Sequence, residues 1–412
     1  MSTPRRKATN DTTLDGEVST VMPEPIDRAG LQVVEISARR GLEQYRGPWE
    51  VLLARDPYGD FFDTYEWLST WLEFFWQDRP IAFLFVYRDG ELLALLPLLS
   101  DEAGETWCRH TLSLPINHFS TRADLIGEKT TQGVLEALWG HLSETRRAVR
   151  LGLQSVATDS SLLPALEQVA DVQRLRIQEW PALVCPLVRI EGDWDGYLAS
   201  LSKHVRSEIR RKRRKFERAG DVELRIVTSP DDSRAAMEDI LHIEERSWKE
   251  ASQSSFTAVR GLADFYNTLS LRCARRGWLR NYILYVDDVP VAHMVGMVYR
   301  HRYYALKTSF DEHYSKLSPG AVLAVYVLEQ AFAERLHVFD FLGLPSRWKD
   351  ELANDVREHV GRCLFEERQL RCRTCAYFHN RLKPVIKNHL PDAIVQGRTK
   401  DTRSSVVKPR DN

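Results

Sequence analysis

YYALKTSFDEHYSKLSPGAVLAVYVLEQAF, residues Tyr303 to Phe332, passes from an alternating apolar run into polar residues and then into a run that is apolar almost all round. Ser318 at an N-cap and Pro319 at the first helical position are ordinary helix-start signals. Gly320 is not, because glycine in a helix costs stability relative to alanine. A glycine at that point lets another group approach the first-turn N–H groups, which favour anions. The stretch therefore predicts a strand, a polar loop and a buried helix whose start holds a phosphate.

The chain has 412 residues and a length suited to two domains. Hydrophobic residues make up 43%, too many for a disordered chain, and the formal net charge of −1 gives no global field for nucleic acid. Six cysteines without regular spacing suit reduced thiols rather than a disulfide framework. No apolar run reaches membrane-spanning length, and MSTPRRKATNDTTLDGEVST has no apolar core after its positive charges. Residues 1–30 and 391–412 are expected to be a disordered leader and tail, and the chain to be cytoplasmic.

Outward from the opening stretch a repeat emerges. FFDTYEWLSTWLEFFW leads to IAFLFVYRDGELLALLPLL in the first half, and LADFYNTLSLRCARRG to NYILYVDDVPVAHMVGMVY in the second. Each is a helix, a strand, an acidic tight turn and a strand. The turns at Asp89 and Asp287 lie 287 − 89 = 198 residues apart. Two related α/β domains follow, expected at 31–190 and 191–390. Only the second has a Ser-Pro-Gly junction, so only the second is expected to bind a ligand at a helix start.

Between them DWDGYLASLSKHVRSEIRRKRRKFERAG predicts a basic helix over 201–219, with Leu201, Val205, Ile209 and Phe216 on one stripe. Its charges from Lys203 to Arg218 form either a solvated face or a surface for a polyanion.

IEERSWK (Ile243–Lys249), ALKTSFDEHYSKLSPG (Ala305–Gly320), FDFLG (Phe339–Gly343) and RWK (Arg347–Lys349) occur in that order. Together they resemble the GNAT-superfamily acyltransferases of the CelD-like, BioF-like acetyltransferase type, and at greater distance the FemAB aminoacyl transferases, which are tandem GNAT domains. The resemblance spans roughly residues 45 to 380. It implies a mixed α/β fold of tandem acyl-CoA N-acyltransferase domains. It also implies a cofactor site kept in the second domain alone, and acetyl-CoA or another acyl-CoA as co-substrate. KLSPGA is poorer in glycine and arginine than the usual pyrophosphate loop of that superfamily.

The expected chemistry is acyl transfer to an amine or hydroxyl of a sugar or amino-sugar precursor, as in polysaccharide or cell-envelope biosynthesis. A Fem-like aminoacyl transferase, or a non-catalytic protein with a polyanion on the basic helix (203–218), is the alternative. Ser318, Pro319, Gly320 and Ala321 are the expected cofactor-binding residues, with Ser318, Gly320 and Ala321 presenting N–H groups. Asp340, in an apolar strand where burial raises the proton affinity of a carboxylate, is the first candidate base; a carboxylate bonded to a neighbouring loop is the other reading. Lys307 is expected to meet Asp340 across adjacent strands, and Glu245 is a reserve base on one helix face with Trp248. Asn117, His118 and Asp124 of INHFSTRADLIG, with Trp248 and Lys349, are candidate acceptor-binding residues. His293 reads as a core histidine or a base. Cys372, Cys375 and His379, with Cys363 upstream, raise a zinc reading, against which the segment looks helical and lacks a second paired knuckle; no metal is expected. A Gly-x-Ser-x-Gly elbow, a Walker loop and a dinucleotide fingerprint are all absent.

Overall fold

The computed structural model describes residues 30–366, apart from Asp78, 102–110, His118, Gln132, 147–149 and 252–253. The first half runs β1 (Leu31–Ile36), α1 (Arg46–Arg55), α2 (Tyr65–Phe75), β2 (Ile81–Arg88), β3 (Glu91–Asp101), β4 (Thr111–Ser113), β5 (Ile126–Gly127), α3 (Val134–Thr145), β6 (Arg150–Ala157), α4 (Leu162–Gln173) and β7 (Leu175–Arg189). The second runs α5 (Trp194–Ser200), α6 (Lys203–Glu217), β8 (Val222–Val227), α7 (Pro230–Glu245), α8 (Trp248–Ala251), α9 (Leu262–Arg275), β9 (Asn281–Val286), β10 (Val289–Tyr299), β11 (Arg302–Phe310), α10 (Pro319–Ala333), β12 (Val338–Asp340), α11 (Arg347–Leu352) and β13 (Asp355–Glu366).

The two acidic turns form the β2–β3 and β9–β10 hairpins. Asp89 and Gly90 have φ of 52° and 82°, and Asp287 and Asp288 of 50° and 61°. Two successive left-handed residues match the twist of a two-residue hairpin. The basic stretch breaks at Leu201–Ser202 into α5 and α6, where the Ser202 hydroxyl accepts from the N–H of Val205. Phe216 of its stripe is fully buried, and Leu201 and Ile209 pack on the same core.

All the strands join one mixed sheet, in the order β1-β2-β3-β4-β6-β13-β7-β12-β11-β10-β9-β8, with β5 beside β3. β7 ties the halves together: Leu187–Arg189 pair with β12, while Leu175–Leu187 pair with β13. β13, the last of the described strands, lies between β6 and β7. One core runs across both halves, bringing Trp49, Phe61, Trp67 and Phe85 together with Phe265, Tyr266, Val295 and Tyr304. On the opposite face α10 buries Val322, Leu323, Val327 and Leu328 against Tyr282, Met294 and Tyr303.

Candidate active site

β11 and β12 run parallel but pair over three residues only, from Arg302↔Val338 to Tyr304↔Asp340. Beyond that level β12 ends while β11 continues to Phe310, so the two strands part company. The departure coincides with a bulge: Gly296 faces Ala305 and Val295 faces Lys307, which leaves Leu306 as the extra residue. Gly296 is required at that point, since a Cβ there would lie 2.1 Å from the Tyr303 hydroxyl oxygen. Bulges of this kind re-aim a side chain and open a ladder. Here the re-aimed side chain is Lys307.

Lys307 Nζ lies 3.5 Å from Glu244 Oε2 and donates to the Ser254 carbonyl at 2.7 Å. Glu244, fully buried near the end of α7, also accepts from His293 Nε2 at 2.9 Å and from the N–H of Phe256 at 3.1 Å. Lys249 of α8 lies 3.8 Å from Glu244 Oε1 and donates to the Thr308 carbonyl. Burial alone would raise the Glu244 pKa, but the bond to His293 and the charges around it win, holding the carboxyl down to about 2. Burial pushes Lys307 down, and it brings Lys249 down to about 8, helped by the nearby Lys307 and Lys349 ammonium groups. Burial also lowers His293, whose Nδ1 has no hydrogen-bond partner among the described residues. With Nε2–H donated to Glu244, that Nδ1 carries the lone pair of a neutral imidazole.

The other wall comes from the first half. Arg122, in the loop between β4 and β5, donates to Asp340 Oδ2 at 2.8 Å and to Asp60 Oδ2 at 3.2 Å. Arg302 reaches the same Asp340 oxygen at 3.3 Å, while Asp340 Oδ1 accepts from the N–H of Leu342 at 3.0 Å. Arg357 of β13 also binds Asp60, whose carboxyl is pushed up by burial but held down to about 2 by Arg122, Arg357 and Arg302. His359, buried beside them, is brought down to about 4, by burial first and then by Arg122 and Arg357.

Several expected residues take other positions. Lys307 does not meet Asp340: it stands beyond the last β11–β12 pair, and the bulge turns it toward α7. The buried carboxylate of α7 is Glu244, not Glu245, which is exposed where the helix ends. The Asn117 side chain closes its own turn, accepting from the N–H groups of Phe119 and Ser120 at 2.9 and 3.0 Å. Asp124 is held by Lys129 at 2.8 Å and by the Ser160 hydroxyl at 2.6 Å. Both are therefore committed to the fold of their loop. Lys349 donates to the carbonyls of Leu342 and Leu344, fixing the segment that leaves β12. Trp248 keeps 49% of its surface exposed next to Lys249. His118, Cys372, Cys375 and His379 lie outside the described residues, while Cys363 is buried on β13.

The start of α10 also differs. Ser318 sits in the left-handed region (φ 58°) and its side chain makes no cap bond. The N–H of Ser318 donates to Ser315, and that of Ala321 to Ser318. Pro319 has none, so among the described residues Gly320 is the one of the four whose N–H no backbone carbonyl takes. A Cβ on Gly320 would meet the Phe310 ring at 3.1 Å, which gives the glycine a packing reason as well. A groove between α6, α10 and α11 adjoins this point, lined by Lys212, Arg213, Ala321, Val322 and Trp348 among others.

Residues 203–350 match the family model of the acetyltransferase (GNAT) domain. Residues 203–350 thus carry a GNAT-type domain, which supports an acyltransferase, with acyl-CoA the co-substrate such a domain implies in general. No curated protein matches the chain. Among solved structures it is similar to FemX, at 12% identity and a TM-score of 0.57, over 80% of this chain and 98% of that one. It is also similar to a conserved protein of unknown function from Bacteroides thetaiotaomicron, at 14% identity and a TM-score of 0.50, over 78% of this chain and 97% of that one. At such identities the likeness is one of fold. No helix among the described residues is long and apolar enough to cross a membrane.

Proposed function

We propose that this chain moves an acyl group from acyl-CoA to an amine, or less readily a hydroxyl, of a sugar or amino-sugar precursor, in the manner of a cytoplasmic CelD-like acetyltransferase. The observation that carries the reading is the parting of β11 and β12 at a bulge that points Lys307 into the Glu244–Lys249–His293 cluster. The acceptor adds to the thioester carbonyl carbon, the C–S bond breaks, the acceptor loses a proton and the departing sulfur gains one. Lys249 is the proton acceptor that fits best: at about 8 its affinity lies near working pH, whereas a carboxylate held at about 2 is a weak base. Glu244 positions Lys249 and Lys307, and the Lys307 cation faces the charge that develops on the carbonyl oxygen. Asp340, occupied by two guanidinium groups, suits a wall between the halves better than a base.

Acyl-CoA fits the start of α10, where the Gly320 N–H and the helix dipole favour a phosphate and Lys212 and Arg213 line the adjoining groove. The acceptor enters between the halves, past Trp248, and the proposed division at 190/191 places the thioester on the second. The test is thiol release from acetyl-CoA with a panel of amino sugars and sugars. Turnover with an amino sugar is the expected result; thiol release with none of them removes the sugar reading.

A Fem-like aminoacyl transfer is the second reading, favoured by Lys203, Arg210 and Arg214, which stand exposed on α6 and make no ion pair among the described residues. RNA binding that falls steeply with salt would support it.

A further inference from the structure

Away from the acyl-transfer site, a cavity of about 450 Å³ opens between the halves. Six arginines line it: Arg39 and Arg40 after β1, Arg46 at the start of α1, and Arg272, Arg275 and Arg276 at the end of α9. That end of α9 leads into Leu279, which bridges Met297 opposite Tyr304, so the cavity lies toward the Arg302 end of β11 rather than the Phe310 end. It belongs to neither the lysine cluster nor the start of α10.

The carboxylates here orient the guanidinium groups without matching their number. Glu66, 4% exposed, holds Arg46 at 3.0 Å and Arg276 at 3.5 Å. Glu73 holds Arg272 at 2.8 Å and Arg39 at 3.7 Å. Glu50 binds Arg46 and Arg276 from the side, and Glu43 binds Arg46 and accepts from the Tyr65 hydroxyl. The side chains of Arg40 and Arg275 have no ion pair or hydrogen bond among the described residues. Four carboxylates thus face six guanidinium groups, leaving an excess of two positive charges, 6 − 4 = 2, in a space of small-molecule size. Guanidinium forks match phosphate oxygens two at a time.

We propose that this cavity is a second ligand site, binding a diphosphate group, free or carried on a nucleotide, with Arg40 and Arg275 as its open contacts. Four of its arginines arrive already oriented by Glu66 and Glu73, so the ligand has little side-chain ordering left to impose. Because the lining comes from both halves, an occupant also ties α2 and its neighbours to α9.

Titration calorimetry of the full chain at low salt tests this, with inorganic pyrophosphate and uridine diphosphate as probes, each run without and then with coenzyme A. Both Arg40 and Arg275 are exposed and their side chains unpaired among the described residues, so the double variant Arg40→Ala/Arg275→Ala should keep its melting temperature. Its pyrophosphate affinity should fall by roughly tenfold or more, as loss of charge-assisted bonds implies. Tighter binding of uridine diphosphate than of pyrophosphate assigns a nucleotide; equal binding assigns the diphosphate alone. Absence of binding at millimolar probe, equal affinity in the double variant, or loss of binding on adding coenzyme A would each overturn the proposal.

Discussion

Glu244 shares one carboxylate among His293, Lys307 and Lys249, and its removal leaves two buried cations without an anion. Breaking a buried pair from one side costs about 3–5 kcal/mol, so Glu244→Gln should be destabilised by that order in denaturant. The pH dependence has a definite sign. Its folded pKa of about 2 lies below the ordinary 4.5, so the stabilisation is complete above pH 4.5 and is lost as pH falls toward 2. Wild type should lose up to about 3 kcal/mol across that window relative to Glu244→Gln. Lys249 gives the opposite limb: if the neutral amine takes the proton, turnover rises with pH and levels off above about 8. A flat profile from pH 6 to 9 would remove that role. The Glu244 position is legible in the sequence, since Met237, Ile240 and Glu244 follow one another at helical spacing on the buried stripe. Choosing Glu245 misses that stripe by one residue, a turn of about 100° around the helix. Arg122 was invisible for another reason: its partners Asp60 and Asp340 are distant in sequence, and an arginine in a polar loop shows no local pattern.

At the scale of elements, the start of α10 combines a left-handed serine with a glycine pressed on Phe310. Left-handed backbone costs an ordinary residue about 1–2 kcal/mol, and the Ser318 side chain returns nothing through a cap bond. Ser318→Gly should therefore gain about 0.5–1 kcal/mol in a denaturation curve while acetyl-CoA affinity is kept. Affinity that collapses in this variant would assign the hydroxyl itself to the ligand. The strand, loop and helix of Tyr303–Phe332 and both acidic hairpins could be read from periodicity and turn residues. The bulge at Leu306 could not, because it depends on Gly296 and Tyr303 meeting across two strands.

At the scale of the molecule, β7 and β13 decide whether the halves are separable. β13 fills the gap between β6 and β7, and β7 alone carries the sheet on to β12. Fragments 30–190 and 191–412, expressed apart, should be insoluble or unfolded, because each leaves long strand edges unpaired. Expressed together they should co-purify. Two separately folded fragments would show that the exchange is dispensable. Such pairing joins residues far apart in sequence, which is why the repeat disclosed two similar halves but not the strand that crosses between them. The central claim, acyl transfer at the parting of β11 and β12 with Lys249 taking the proton, is tested most directly by Lys249→Met. Thiol release from acetyl-CoA with an accepted amine would be followed beside calorimetric acetyl-CoA binding. Turnover should fall by roughly 10²–10⁴ with cofactor affinity unchanged. Full turnover in the folded variant would contradict it.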